Sequence, residues 1–133
     1  EVGTIARQAR EQGITVPLLG GDGWDSPKLL EGAGDALEGC YHSNHYSSES
    51  TDPAVVKFMA DYKAKFGGKT PDAMAALGYD ALKILADAIT RAGKAEPAAI
   101  RDALAQTRDF AVVSGNITID EKRNATKAAV VMQ

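Results

Sequence analysis

An α/β fold is predicted by three features of this sequence. A short helical pattern runs into an apolar run of strand length that ends in glycines, which is half of a βαβ unit. A second strand-like run, from Gly39 to His45, leads into a polar stretch where the composition shifts. Three amphipathic helices and a β-hairpin follow that stretch. With 133 residues the chain suffices for one domain with a real core or for parts of two smaller lobes, and it is too short for two complete α/β domains.

The first helix is expected over Val2 to Gln12, where Ile5, Ala6 and Ala9 recur at helical spacing and Gly13 supplies a C-terminal cap. Ile14 to Leu19 is a compact apolar run that predicts a buried strand, and it ends abruptly in Gly20, Gly21, Asp22 and Gly23. Asp25 or Ser26 is the expected cap of a brief helix with Pro27 at its first position and with Leu29 and Leu30 in its body. Cys40 and Tyr41 suit a second strand, and the polar run from Ser43 to Asp52 reads as a linker or hinge.

Asp52 and Pro53 begin a clear helix, with Val55, Phe58, Met59, Tyr62 and Phe66 on one face and Lys57, Asp61 and Lys65 opposite. Gly67 and Gly68 stop it. Thr70 and Pro71 are expected to start the longest helix, whose core face reads as Met74, Leu77, Ala81, Leu82, Leu85, Ala88 and Ile89 up to Gly93. Pro97 opens one more helix, holding Ile100, Ala103 and Leu104. The tail reads as a hairpin: Val113 and Asn116 to Ile119, a polar turn from Asp120 to Asn124, then Ala128 to Met132.

Only two strands of the parallel kind are present, and such strands need neighbours on both sides and helices on both faces. Partner segments are therefore expected from another part of the same protein. Glu1 runs straight into a helical pattern with no initiator Met or signal segment, so the start reads as an interior cut.

Composition narrows the function classes. Hydrophobic residues make up 44% and charged residues 25%, the balance of a folded protein. Fifteen basic residues are scattered among 18 acidic ones for a net charge of −3, so no continuous positive face is available for phosphates, and nucleic acid is not an expected partner. No apolar run approaches the roughly 20 residues that cross a bilayer. The single cysteine, Cys40, excludes an internal disulfide and any multi-cysteine metal site.

The sharpest local feature is Gly20-Gly21-Asp22-Gly23-Trp24, directly after a predicted strand. Open α/β sheets bind ligands in the crevice at the carboxyl ends of their strands. Asp22 there presents a carboxylate able to take charge-assisted hydrogen bonds from an ammonium group. The plain alternative is a turn whose Asp22 caps the helix after it. The dinucleotide spacing G-x-G-x-x-G is absent, as is a phosphate-cradling P-loop. Trp24 offers a ligand an apolar or cation-attracting face, or serves as a packing residue beside the turn.

Cys40, His42 and His45 invite a metal hypothesis, yet on a strand His42 and His45 would point to opposite faces. Cys40 reads better as a buried thiol, and Ser114-Gly115 lacks the G-x-S-x-G elbow of a serine hydrolase. No catalytic set and no cofactor site is assigned, so no enzyme is expected. Met74 lies in the first turn of the long helix, where a side chain either lines a cleft or joins the core.

Five stretches, in order, resemble bacterial substrate-binding proteins for branched-chain amino acids. They are Ile14-Thr15-Val16-Pro17-Leu18-Leu19-Gly20-Gly21-Asp22-Gly23-Trp24-Asp25-Ser26-Pro27; Leu37-Glu38-Gly39; Asp52-Pro53-Ala54-Val55 with Tyr62-Lys63-Ala64-Lys65-Phe66; Ala75-Ala76-Leu77-Gly78-Tyr79-Asp80-Ala81; and Gly115-Asn116-Ile117-Thr118-Ile119-Asp120. The resemblance implies a type I periplasmic-binding-protein fold, with this stretch contributing to two Rossmann-like lobes with parallel sheets. It places residues 1–45 in the second lobe, 46–130 in the first, and 131–133 at the third hinge crossing.

The resemblance also implies that Asp22 inherits the role of holding a ligand ammonium. Met74, five positions before Tyr79, matches a side-chain pocket residue that is aromatic in some relatives. Asp22 and Met74, with Trp24 nearby, would then line a cleft between lobes that closes on a small amino-acid-like ligand. The implied partners are that ligand, the membrane permease of an ABC importer, and an N-terminal segment of the same protein that would carry the groups for the ligand carboxylate. The implied location is the periplasm or an extracytoplasmic, lipid-anchored position. A sensory module with the same fold, reporting an amino acid or amide to a signalling partner, is the alternative.

Overall fold

The computed structural model describes residues 1–133. In chain order the elements are α1 (Val2–Glu11), β1 (Leu19–Gly20), α2 (Pro27–Ala33), β2 (Tyr41–Asn44), α3 (Pro53–Lys65), α4 (Ala73–Ala92), α5 (Pro97–Ala105), β3 (Phe110–Val112), β4 (Gly115–Ile119), β5 (Ala125–Thr126) and β6 (Val130–Met132). The chain divides into two compact units, one of residues Glu1–Ser47 with Ala129–Gln133 and one of Ser48–Ala128.

In the first unit β2 is the central strand of a three-stranded sheet ordered β1-β2-β6. It pairs in parallel with β1, Leu19 opposite Tyr41 and Gly20 opposite His42, and antiparallel with β6, Asn44 opposite Val130. Helix α1 buries Gly3 and Ala6 and packs on α2, while Ile5, expected on the apolar face, is exposed.

The predicted buried strand from Ile14 to Leu19 is reduced to Leu19–Gly20, and Leu19 is 79% exposed. The cause is visible in the hydrogen bonding. Within this chain β1 pairs on one side only, with β2. Upstream, the carbonyls of Ile14 and Val16 are taken by the Arg10 guanidinium at 2.7 and 2.8 Å, so they need no neighbouring strand. The same Arg10 donates to the Ala36 carbonyl at 3.0 Å and to the buried Cys40 Sγ at 3.2 Å, tying α1 to the turn that precedes β2.

The second unit is built from three helices and an antiparallel sheet ordered β3-β4-β5. Asp52 caps α3 by accepting the Ala54 N–H at 2.7 Å, and Pro53 occupies the first turn as expected. Along α3 the rings of Phe58, Tyr62 and Phe66 follow one another, with centroids 5.8 and 4.3 Å apart, and Phe58 also meets Tyr79 of α4 at 5.0 Å.

Helix α4 starts two residues later than predicted. Asp72, with extended backbone, accepts the Ala75 N–H at 2.8 Å and so serves as the cap, leaving Thr70 and Pro71 outside. Gly93 ends the helix in the left-handed conformation, φ +67°.

Within this chain the buried stripe of α4 is Ala73, Ala76, Asp80, Ile84 and Ala88, of which the predicted core face held only Ala88. Met74, Leu82, Leu85 and Ile89 are exposed, Leu82 by 68%. Ile84 packs with Val112 and Ile117, flanked by Leu104, Phe110 and Ile119, so the helix turns Ile84 toward the antiparallel sheet. Arg91 fastens α4 to α5 by donating to the Ala103 carbonyl at 2.6 Å and the Thr107 hydroxyl at 2.9 Å.

The predicted tail hairpin is also revised. The arm that returns onto β4 is Ala125–Thr126, with Thr118 opposite Thr126, whereas Val130–Met132 joins β2 of the first unit.

Candidate functional site

Parallel pairing of β1 and β2 brings the carboxyl ends of both strands to the same edge of the sheet. Beyond Gly20 the chain turns through a short 3-10 segment, Asp22–Trp24, in which the Gly21 carbonyl accepts the Trp24 N–H at 3.0 Å. Beyond β2 comes His45, whose N–H is taken by the Oδ1 of buried Asn44 at 2.7 Å. These two loop starts meet: His45 Nε2 lies 3.0 Å from Asp22 Oδ2.

An ionised carboxylate only accepts, so Nε2 carries the proton in this contact. The Asp22 side chain is 51% exposed and that of His45 33%, which leaves the carboxylate open to solvent on its other side. Asp22 does not cap α2. That helix begins at Pro27 with Ser26 as its N-terminal flank, and the Ser26 side chain makes no capping bond.

Trp24 folds back over β1. A Cβ added at Gly20 would overlap the indole, so the ring lies against backbone that only glycine leaves bare. The same ring approaches His42, with centroids 6.2 Å apart and planes tilted by 34°. Trp24, Leu29, Leu30, Leu37, Cys40 and His42 line a cavity of about 250 Å³, and Asp22 lies outside that lining.

Cys40, His42 and His45 do not converge. Cys40 Sγ faces Arg10 and the Leu18 N–H, His42 faces Trp24, and His45 faces Asp22. Met74 occupies the first turn of α4 in the second unit and is 58% exposed, so it projects from the helix instead of joining the core. His45, from its sequence a candidate beside Cys40 and His42, is instead the partner of Asp22. The signal available was the strand order: two parallel strands put the residues after each of them side by side.

The sequence profile of the periplasmic binding protein family matches residues 1–133. A Leu/Ile/Val-binding protein homolog from Brucella suis is 31% identical over 134 residues, covering 99% of this chain and 35% of that protein. Among solved structures, the leucine-binding protein LivK from Thermotoga maritima is 44% identical with a TM-score of 0.86, covering 98% of this chain and 37% of the other. The branched-chain amino acid transporter substrate-binding protein LivJ from Streptococcus pneumoniae, solved with isoleucine, is 32% identical with a TM-score of 0.84, again over 98% and 37%. This chain thus spans about a third of the length of the relatives it matches.

Proposed function

Because the chain belongs to the periplasmic binding protein family, with the type I fold predicted from its sequence, we propose that it forms part of an extracytoplasmic receptor that binds a branched-chain amino acid and delivers it to an ABC importer permease. The observation that carries this reading is the half-exposed Asp22 carboxylate at the carboxyl end of a parallel strand, already engaged by one N–H donor and open to a second. Such a group suits an α-ammonium. The names of the relatives favour leucine, isoleucine or valine as the ligand and import over sensing.

In this reading Asp22 accepts the ligand ammonium, Met74 offers a flexible apolar surface to the ligand side chain, and Trp24 shapes the Asp22 loop by its seat on Gly20. The donors for the ligand carboxylate belong to the remainder of the protein. Recognition is the output, and no bond of the ligand is made or broken. The periplasm, or a lipid-anchored extracytoplasmic position, is the setting that such a role requires.

Calorimetry on the full-length protein tests this. Leucine, isoleucine or valine should bind the unaltered protein. Asp22→Ala should remove on the order of 2 to 5 kcal/mol of binding free energy, because the ammonium then enters the site without its counter-charge. Unchanged affinity after that substitution would overturn the assignment.

A further inference from the structure

We propose that His45 is a positioning residue of the ammonium site, one that aims the Asp22 carboxylate; the proposal rests on the reading of Asp22 as the ammonium acceptor. Three observations support it. His45 Nε2 and Asp22 Oδ2 are 3.0 Å apart, which commits one carboxylate oxygen and leaves Oδ1 to accept a further donor. His45 is itself held at the backbone by the side chain of Asn44, which is 4% exposed, so the imidazole starts from a fixed root. The register of β1 on β2, Gly20 opposite His42, sets the spacing between the two loops.

An unrestrained aspartate on a short glycine-flanked turn would sample several rotamers, and only some would face an incoming cation. An imidazole N–H bonded to one carboxylate oxygen removes that freedom and leaves the other oxygen to accept. Binding therefore begins from an acceptor whose orientation is set in advance, which lowers the ordering cost of capture.

The test is a double-mutant cycle read by leucine calorimetry on the full-length protein, using the unaltered protein, His45→Ala, His45→Gln, Asp22→Asn and the pair Asp22→Asn with His45→Ala. His45→Ala should weaken leucine binding about tenfold, the scale of one hydrogen bond to a charged group. His45→Gln, whose amide N–H reaches a similar point, should recover most of that loss. In the Asp22→Asn background His45→Ala should cost less than about twofold, since the residue acts through Asp22. Additive losses, or a glutamine variant no better than alanine, would overturn the positioning role while leaving Asp22 as the acceptor. Failure of the unaltered protein to bind any branched-chain amino acid would instead overturn both readings.

Discussion

Asp80, 1% exposed on α4, accepts the backbone N–H of Ser114 at 2.9 Å through one carboxylate oxygen, while its other oxygen takes the N–H of Val113 at the same distance. The long helix is thereby bonded to the turn between β3 and β4, whose N–H groups would otherwise be buried unpaired. Asp80→Asn presents an amide NH2 to one of those donors, so one bond is lost and two donors oppose each other. Urea unfolding should show a loss of about 2–4 kcal/mol, the cost of a charged hydrogen bond plus an unsatisfied buried donor. An unchanged midpoint would show that the turn does not depend on this carboxylate.

Gly20 lies under Trp24 with no room for a methyl group, the nearest ring atoms being 2.1 to 2.6 Å from a Cβ. Gly20→Ala must displace the indole from β1. We expect a loss of about 1–3 kcal/mol, typical of overpacking, and a red shift in the emission of Trp24, the only tryptophan of this chain. Emission and stability that both stay unchanged would contradict the seating of the ring.

Element existence was largely legible, and the facing of the elements was not. Some caps and stops were readable because their chemistry is local: Asp52 with Pro53, and Gly93, each act within one turn. Two faces of α4 carry apolar residues, and within this chain the one with Ala76, Ile84 and Ala88 is buried while Leu82 and Leu85 stay exposed. Asp80 sits at the centre of the buried face, and a charged residue there argues against burial until its two backbone donors are seen. The length of β1 depended on Arg10, whose guanidinium occupies carbonyls that a neighbouring strand would take, a contact no periodicity reveals. Asp22 was visible from its glycine loop, whereas His45 became part of the candidate site only through strand order.

Met74 is a place where ligand affinity and stability should separate. Because its side chain is largely solvent-exposed, Met74→Ala should change unfolding free energy by no more than about 0.5 kcal/mol. If it meets the ligand side chain, leucine binding should weaken by about 1–2 kcal/mol, the scale of a lost apolar contact of that size. Binding of alanine, which offers only a methyl group, should weaken less. Calorimetry with both ligands checks this, and equal losses for the two would remove Met74 from side-chain recognition.

The turn after β4 should respond to acid in a defined direction. The Asp120 carboxyl is held below its usual value of 3.8, chiefly by the Asn124 backbone N–H at 2.7 Å, helped by the Asn124 side chain and the Lys122 N–H at 2.8 Å. A carboxyl whose folded value is depressed contributes its stabilisation above the ordinary carboxyl range and loses it as pH falls through the lowered value. The amide resonances of Lys122 and Asn124 should therefore titrate together, with a midpoint below 3.8, as the carboxylate takes up its proton. Asp120→Asn should abolish that titration at both amides. A midpoint at or above the ordinary value would mean that the turn does not hold the charged form, and the bonds to Asp120 would then contribute nothing to its order.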